Sequence, residues 1–371
     1  MWSNLPFDLL SFIFSFLPPD SIARARSACR NWHTCPNPYP STPTRFPPWF
    51  LAFPIRYHKP CCYAHNPVTE NWHELTLDFL PIPTTSIRPV SPIGSLLLLR
   101  VTSFNSTTFQ LGLCNPFTRQ FKHLPQLHIS RTNPASGVTV LDHGSQLEFP
   151  HFRVYVAGGM SEAARGGGAS YEPTVEMYDS EVGVWEVVGS VPVEFAVRLT
   201  VWTPNENVCV KGTLYWITSA RAYSVMGFDV GANTWRELGV PMAEKLEFAT
   251  LVKRDGAMAL VGGVCGGDVL VWEMSEGGEW CLVDEVPGEL RLRLLAEKRN
   301  WESVKCVGNG DAICLYKDLG FGMVICKKVG DVGRWEWVWV DGWGYIKGKQ
   351  VRNCPIRGAL LHPTLAYSAL N

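Results

Sequence analysis

Apolar residues in the first 35 positions recur with the period of an α-helix. Two stripes with spacings of three and four residues run side by side, Leu9, Ile13, Phe16 and Leu10, Phe14, Leu17. Together they predict one helix with a broad apolar surface, and Pro18-Pro19 ends it because proline disrupts a helix interior. A segment this short cannot bury so wide a surface by itself. The pattern therefore predicts that another protein covers it.

Two further short helices are expected before residue 36. Asp20 or Ser21 can cap a second helix that continues to Arg26. A third helix around residues 29–33 must end before Pro36. Residues 36–48 contain six prolines, which predicts an extended, semi-rigid linker. The expected boundaries are therefore 1–35 for the helical module, 36–48 for the linker and 49–371 for the remainder.

Beyond the linker, a unit of about fifty residues recurs. An Asn or Asp at a strand end is followed six residues later by an aromatic residue. The pairs are Asn66…Trp72, Asn115…Phe121, Asp179…Trp185 and Asp229…Trp235, with two looser copies, Glu273…Trp280 and Lys327…Trp335. Upstream of the pairs we predict apolar strands at residues 49–53, 96–101, 154–159, 214–218, 258–263 and 312–316. Two of them end in a double glycine, Gly158-Gly159 and Gly262-Gly263, which allows a neighbouring group to approach closely.

The repeat predicts an all-β architecture. Each unit supplies about four strands, and units stacked around an axis form a β-propeller with aromatic side chains between the blades. The chain has 15 Trp, which suits an architecture with aromatic side chains packed between blades. We predict six blades, with seven as the alternative. The first unit lacks an innermost strand, so we expect the apolar tail 359–366 to pair beside residues 49–53 and close the ring. The wide second-to-third spacing predicts an insertion near residues 127–149.

Composition narrows the class of protein. Charged residues make up 18% of the chain, apolar residues 46%, and the net charge is -1. This balance argues against non-specific binding to nucleic acid or anionic membranes, which needs a basic field. No apolar run is long enough for a membrane span, and no signal peptide is apparent. The 12 cysteines lie mostly in apolar runs, as buried thiols do in a reducing compartment. We expect cytoplasm, nucleus or both.

No set of residues points to catalysis or metal binding. The sequence lacks Gly-x-Ser-x-Gly, a phosphate-binding loop and His-Glu-x-x-His. His58, Cys61, Cys62 and His65 are close enough in sequence to suggest zinc. However, adjacent residues of a predicted strand point to opposite faces, so one ion could not readily gather both cysteines. We expect no metal, no cofactor and no enzymatic activity.

The two halves of the chain resemble known modules. The N-terminal segment resembles an F-box, the module that docks on the Skp1 adaptor of a ubiquitin ligase, through Leu5-Pro6 and Arg24-x-Arg26-Ser27-x-Cys29-Arg30-x-Trp32. The third repeat, with its double glycine, Tyr178 and Trp185, resembles a kelch repeat. The whole chain resembles plant F-box/kelch-repeat proteins, in particular the subgroup containing UNUSUAL FLORAL ORGANS. The resemblance implies a small all-α F-box of three helices followed by an all-β propeller of degenerate kelch repeats.

This resemblance also implies roles for individual residues. Those implied to form or support the Skp1 contact are Leu5, Pro6, Leu9, Leu10, Ile13, Phe14, Leu17, Cys29, Arg30 and Trp32. In similar proteins the target binds to the loops after the second strand of each blade, here residues 55–60, 102–107, 160–173, 219–223, 265–268 and 317–321. Cations on these loops that favour an acidic partner are Arg56, His58, Lys59, Arg165, Arg221 and Lys317. Solvated loop charges without a special role are the open alternative.

The implied function is substrate recognition in an SCF-type E3 ubiquitin ligase. The F-box would bind Skp1 and, through it, cullin, while the propeller holds an unidentified protein target. Direct contacts with nucleic acid or membrane are not expected. The alternative is an F-box scaffold or transcriptional co-factor that acts without target degradation.

Overall fold

Three helices form the N-terminal module, as expected. They are α1 (Phe7–Phe14), α2 (Pro19–Ala28) and α3 (Arg30–Thr34). The thiol of Cys29 caps α3 by accepting a hydrogen bond from the Trp32 backbone N–H at 3.4 Å. The structure is a computed structural model that describes residues 5–17, 19–35, 46–56, 59–81, 84–103, 106–141, 150–161, 168–201, 207–296, 300–329, 333–346, 349–350 and 354–365. Most of the proline-rich linker lies outside these ranges.

The first half of the remaining chain forms short antiparallel strands. Blade 1 contains β1 (Trp49–Pro54), β2 (Cys61–Asn66) and β3 (Asn71–Thr76). Blade 2 contains β4 (Thr84–Ile93), β5 (Leu96–Ser103), β6 (Ser106–Asn115) and β7 (Gln120–His123). Next come β8 (Arg131–Thr132), β9 (Ala135–Val140), β10 (Phe152–Ala157), β11 (Met160–Ser161), β12 (Thr174–Asp179) and β13 (Trp185–Ser190). Of these, β9, β10, β12 and β13 form blade 3, and β8 pairs with β11.

The second half repeats the pattern and adds two helices. Helix α4 (Val193–Val201) precedes blade 4, made of β14 (Asn207–Val210), β15 (Thr213–Thr218), β16 (Ser224–Asp229) and β17 (Thr234–Gly239). Blade 5 contains β18 (Leu246–Arg254), β19 (Ala257–Val264), β20 (Val269–Met274) and β21 (Trp280–Glu285). Helix α5 (Gly288–Leu295) precedes blade 6, made of β22 (Lys305–Gly308), β23 (Ala312–Tyr316), β24 (Met323–Val329) and β25 (Arg334–Val340). Two short strands, β26 (Tyr345–Ile346) and β27 (Lys349–Gln350), pair with each other before β28 (Ile356–Leu361).

The C-terminal strand closes the ring. β28 pairs antiparallel with β1, with Leu361 opposite Trp49 and Ile356 opposite Pro54. It supplies the innermost strand that blade 1 lacks, so the described residues contain six four-stranded sheets. The innermost strands of neighbouring blades contact one another all the way round. The predicted six-bladed propeller and its closure by the tail are confirmed, although the strand begins at Ile356, three residues earlier than expected.

The repeated Asn or Asp precedes the turn between the third and fourth strands in four of the blades. Asn66, Asn115, Asp179 and Asp229 each end the third strand of a blade. The Oδ1 atom of Asn66 accepts a backbone N–H two residues later at 2.9 Å, and that of Asp229 accepts one three residues later at 2.8 Å. Such side-chain caps favour tight turns. The third and fourth strands are thereby joined by a turn of defined geometry.

The aromatic residue that follows this Asn or Asp forms a hydrogen bond to the preceding blade. The indole N–H of Trp235 in blade 4 donates to the Ser190 carbonyl of blade 3 at 3.0 Å, and that of Trp280 in blade 5 donates to Gly239 of blade 4 at 2.8 Å. Trp72 and Trp185 make the equivalent bonds to Asp341 and Pro125, just beyond the preceding fourth strand. Trp335, from the loosest repeat, donates instead to the Asp255 carboxylate at 2.8 Å. The predicted placement of Trp between blades is confirmed.

At the double glycine Gly262-Gly263, neighbouring side chains approach the backbone closely, as the sequence predicts. A Cβ atom on Gly263 would lie 2.6 Å from Cγ of Trp301 and would also overlap the ring of Phe248. Trp301 is fully buried between blades 5 and 6. Only glycine lets that ring approach the strand so closely.

The predicted insertion near residues 127–149 is not a single element. β9 occupies residues 135–140 and belongs to blade 3, so the extra length is divided between the segments before and after it. Both stretches fall largely within the predicted range, and Asn133-Pro134 is the turn signal that precedes β9. Residues 142–149 lie outside the described ranges.

Candidate functional site

The N-terminal helical module presents an apolar face to solvent. Along α1, the exposed fractions are 50% for Leu9, 65% for Phe12 and 39% for Ile13, and Phe7 and Phe16 are exposed to a similar degree. The rings of Phe12 and Phe16 pack edge to face with centroids 5.0 Å apart. A contiguous exposed apolar patch of this kind is typical of a protein-binding surface. We call the face formed by Phe7, Leu9, Phe12, Ile13 and Phe16 the α1 face.

The opposite side of α1 forms the core of the module. Leu10 and Phe14 are each 1% exposed and pack with Cys35, while Leu5, Leu17 and Trp32 close the cluster at its edge. The Phe14 and Trp32 rings lie edge to face at 6.3 Å. Leu10 and Phe14 have almost no exposed area in the folded chain, and their contribution to the adaptor contact stays a prediction. They stabilise the α1 face from beneath.

The remaining predicted contact residues are distributed around this core. Pro6 is exposed immediately before α1, Arg30 is exposed at the start of α3, and Cys29 serves as the α3 cap. Phe7 and Phe12 were absent from the predicted set, although Phe12 lies four residues before Phe16 at helical spacing. That spacing was the available signal.

The N-terminal helical module contacts the C-terminal tail at one end of the propeller. Arg26 donates to the Leu365 carbonyl at 3.2 Å and to the Cys35 carbonyl at 3.0 Å. Asn115 of blade 2 donates to the Thr364 carbonyl at 3.3 Å. These tail residues follow Leu361, which pairs with the first residue of β1. The N-terminal helical module therefore lies near the end of the propeller at which β1 begins.

The predicted target-binding loops lie at the other end of the blades. The loop 55–60 follows the last residue of β1, about 20 Å along the strand from its start at the usual rise per residue. We call the end formed by loops 55–60, 102–107, 160–173, 219–223, 265–268 and 317–321 the rim face. The opposite end, where the innermost strand turns into the second strand at residues 94–95, 211–212, 255–256 and 309–311, is called the turn face. The two functional surfaces expected from the sequence are thus at opposite ends of the propeller.

Not all of the predicted rim cations are available to a partner. Arg56, Lys59 and Arg221 are exposed. Lys317 is only 7% exposed, and its ammonium donates to the Leu295 carbonyl at 3.2 Å and lies 5.1 Å above the Phe321 ring. Its role in target binding stays a prediction, and in the folded chain its ammonium is engaged by the last residue of α5. His58 and Arg165 lie outside the described residues.

Among the candidate metal ligands that the structure describes, Cys61 and Cys62 face different sides of their strand, and His58 lies outside the described residues. Cys62 packs in the cluster between blades 1 and 2, whereas Cys61 packs against the cluster between blades 1 and 6. Burial raises the pKa of the Cys62 thiol and lowers that of His65 to about 4. One other group with metal-compatible geometry occurs in the described part of the chain, His151, Asp179 and Glu181. Its central carboxylate, on Asp179, already bonds Arg153 and His151, each at 2.8 Å.

No helix within the described ranges has the length and apolarity that crossing a membrane requires.

Comparisons with known proteins agree with this organisation. A family model described as F-box-like matches residues 2–37. The protein UNUSUAL FLORAL ORGANS of Arabidopsis thaliana is 22% identical, over 92% of this chain and 78% of its own. An F-box/kelch-repeat protein of the same species is 24% identical, over 76% of this chain and 78% of its own. A fungal lectin of Aleuria aurantia with a six-bladed propeller covers 78% of this chain and 93% of its own at 11% identity, with a TM-score of 0.44. The F-box match and the two plant relatives confirm the resemblance found in the sequence.

Proposed function

We propose that this chain, a plant-type F-box protein with a six-bladed propeller, is a substrate-recognition subunit of an SCF-type ubiquitin ligase. The α1 face docks on a Skp1-type adaptor, which connects the chain to cullin. The propeller holds a protein target, and other subunits transfer ubiquitin. The proposed compartment is the cytoplasm, the nucleus or both.

The exposed α1 face is the observation that carries this proposal. Leu9, Phe12 and Ile13 remain between 39% and 65% exposed in the folded chain. Burying a fully exposed side chain of this kind contributes about 1.5–3 kcal/mol, so the exposed parts of these three contribute roughly 2–5 kcal/mol to docking. An F-box domain supports binding to a Skp1-type adaptor in general.

The propeller supports the second half of the proposal through its geometry. The α1 face and the rim face belong to parts of the molecule at opposite ends of the blades. A target on the rim face is then held away from the adaptor by a closed, rigid ring. Holding two reactants in a fixed relation is itself catalytic, and we propose that positioning is the contribution of this chain.

A binding assay on the full chain tests the adaptor contact. The variant with Leu9→Ala and Phe12→Ala should lose at least about tenfold in affinity for purified Skp1, because two exposed apolar contacts are removed. The matched control carries Leu282→Ala and Val283→Ala on the outer strand β21, where the side chains are 58% and 41% exposed. Equal melting temperatures would show that both variants fold. The proposal is wrong if the wild-type chain fails to bind Skp1 or if the two double variants bind it equally well.

Target ubiquitination separates the proposal from its alternative. Proteins captured by the wild-type chain are compared for ubiquitin conjugation in the presence of the wild type and of the α1-face variant. The ligase reading predicts that conjugation of at least one captured protein falls with the variant. Adaptor binding without any such change would favour a scaffold or transcriptional co-factor.

A further inference from the structure

The channel along the propeller axis contains a cavity that adaptor and target binding do not use. Its volume is about 370 Å³, roughly twelve times the ~30 Å³ that one water molecule occupies in the liquid. This is the size of a small organic molecule, at the lower end of the range for ligand sites. The innermost strands of all six blades contribute residues to its wall.

One aliphatic side chain from each blade forms a belt around the cavity. The six residues are Val90, Val138, Val208, Leu251, Val307 and Ala359. Between 2% and 7% of each remains exposed, because the residue packs between blades on one side and borders the channel on the other. The exposed atoms of this belt offer an apolar contact to part of a bound molecule, beside polar groups of the same wall. We call these six residues the aliphatic belt.

The charged residues of the wall lie toward the turn face. Lys211 forms part of the turn in blade 4, and Lys253 lies two residues before the turn in blade 5. Among the lining residues that the structure describes, there is no carboxylate to balance them. A narrow channel lined with one sign of charge concentrates ligands of the opposite sign.

The ion pair between Lys211 and Glu276 does not prevent Lys211 from binding an anion in the channel. Its ammonium lies 2.9 Å from the Glu276 carboxylate, with side-chain exposures of 75% and 93%. Ion pairs as exposed as this one are screened by water and contribute little. The lysine can therefore turn from Glu276 toward an anion in the channel.

Asn207 places a polar group beside the aliphatic belt. Its Oδ1 accepts the Val138 backbone N–H at 3.1 Å, which orients the amide. Its Nδ2 is buried and has no hydrogen-bond partner among the described residues. A buried donor of this kind is costly to leave unsatisfied, so an acceptor on a bound molecule would be favoured there.

We propose that the channel binds a small carboxylic acid. Its apolar body lies within the aliphatic belt, and its carboxylate lies beside Lys211 and Lys253 at the turn face. The combination of aliphatic contacts, a cationic end and one orienting amide is what a small carboxylic acid requires. The site shares no lining residue with the α1 face or with the predicted rim cations.

Calorimetric titration of the full chain with octanoate tests the chemistry of the site. Octanamide, which has the same shape without the charge, is the matched ligand. Octanoate should bind in the micromolar to millimolar range and octanamide at least about tenfold more weakly, because only the acid gains the lysine contacts. Failure of octanoate to bind at millimolar concentration, or equal binding of the two, would overturn the proposal. Complete displacement of octanoate by an equal concentration of inorganic phosphate would also overturn it, because the belt would then add nothing.

A pair of lysine variants tests the location. Lys253→Met keeps the aliphatic stem and removes the charge, and it should weaken octanoate by about tenfold while leaving octanamide unchanged. Lys245→Met changes an exposed lysine before β18, outside the cavity lining, and should alter neither ligand. Equal effects of the two variants on octanoate would contradict the assignment. Melting temperatures check folding, and Lys211→Met replaces Lys253→Met if the latter does not fold.

Discussion

The buried ion pair between Arg131 and Glu176 provides the sharpest prediction about stability. Both side chains are fully buried and in direct contact. Arg131 lies in the segment between blades 2 and 3, and Glu176 lies on β12. Arg131 also donates to the Gly158 and Thr174 carbonyls at 3.0 Å each. The pair therefore fastens the inter-blade segment to blade 3.

The Glu176 carboxylate also accepts hydrogen bonds from the backbone. Glu176 accepts the backbone N–H of His128 at 2.7 Å and that of Ile129 at 3.3 Å. Removing one partner of a buried pair leaves an uncompensated charge and costs about 3–5 kcal/mol. The whole domain is stable by about 5–15 kcal/mol. Arg131→Met should therefore lose a large fraction of the free energy of unfolding.

The double variant distinguishes charge from hydrogen bonding. Arg131→Met with Glu176→Met removes both charges but leaves the two backbone N–H groups of His128 and Ile129 without their acceptor. Each lost bond of this kind costs about 1–3 kcal/mol. We expect the double variant to be destabilised by roughly 2–5 kcal/mol, clearly less than the sum of the two single variants.

Urea unfolding followed by tryptophan fluorescence measures these free energies. Trp185 reports on the same region, because its indole donates to the Pro125 carbonyl at 2.8 Å. Arg119→Met is the matched control, since the Arg119–Asp78 pair is 55% and 64% exposed and should cost no more than about 1 kcal/mol. The reasoning is refuted if Arg131→Met costs no more than Arg119→Met, or if the two single variants are additive.

Three further predictions concern ring closure, blade contacts and pH. Leu361→Ala, at a fully buried position of the closing strand, should cost about 2–5 kcal/mol in urea unfolding; a cost below ~1 kcal/mol would contradict closure by β28. Trp280→Phe keeps an aromatic side chain but removes the indole N–H that bonds the Gly239 carbonyl, and should lower the free energy of unfolding by at least about 0.5–1.5 kcal/mol, whereas no loss would contradict its role between blades. Burial lowers the pKa of His65 to about 4, so the unfolded chain takes up this proton first and stability falls as pH drops below ~6.5. Between pH 7 and 5 this amounts to roughly 2 kcal/mol, and His65→Leu should abolish it; an unchanged pH dependence would contradict the assignment.

The blades were predictable because their chemistry is local and repeated. An Asn or Asp that caps a turn and a Trp six residues later lie within one short stretch, as in Asp229 and Trp235. The closing strand was predictable for a different reason: one unit lacked a strand and one apolar segment remained. Its start was placed too late because the strand pairs over its full length with β1, from Ile356 onward.

Features that depend on distant neighbours were not predictable from the sequence. α4 and α5 lie in connections between blades, where short helices leave only a brief periodic signal. Lys317 is buried because α5 supplies the Leu295 carbonyl, and this contact spans 22 residues. Leu10 and Phe14 share the spacing of the exposed stripe but face Cys35. Helical spacing identifies the two stripes of α1, and only the packing shows which one faces solvent.

Hydrogen exchange of the full chain with and without purified Skp1 tests the central claim most directly. The account predicts that the adaptor slows exchange in the α1 peptide, residues 5–17, and leaves the rim-face loops 55–60 and 219–223 unchanged. Exchange in α1 that is unaffected by a saturating adaptor, or protection that appears on the rim face instead, would contradict the assignment of the two surfaces.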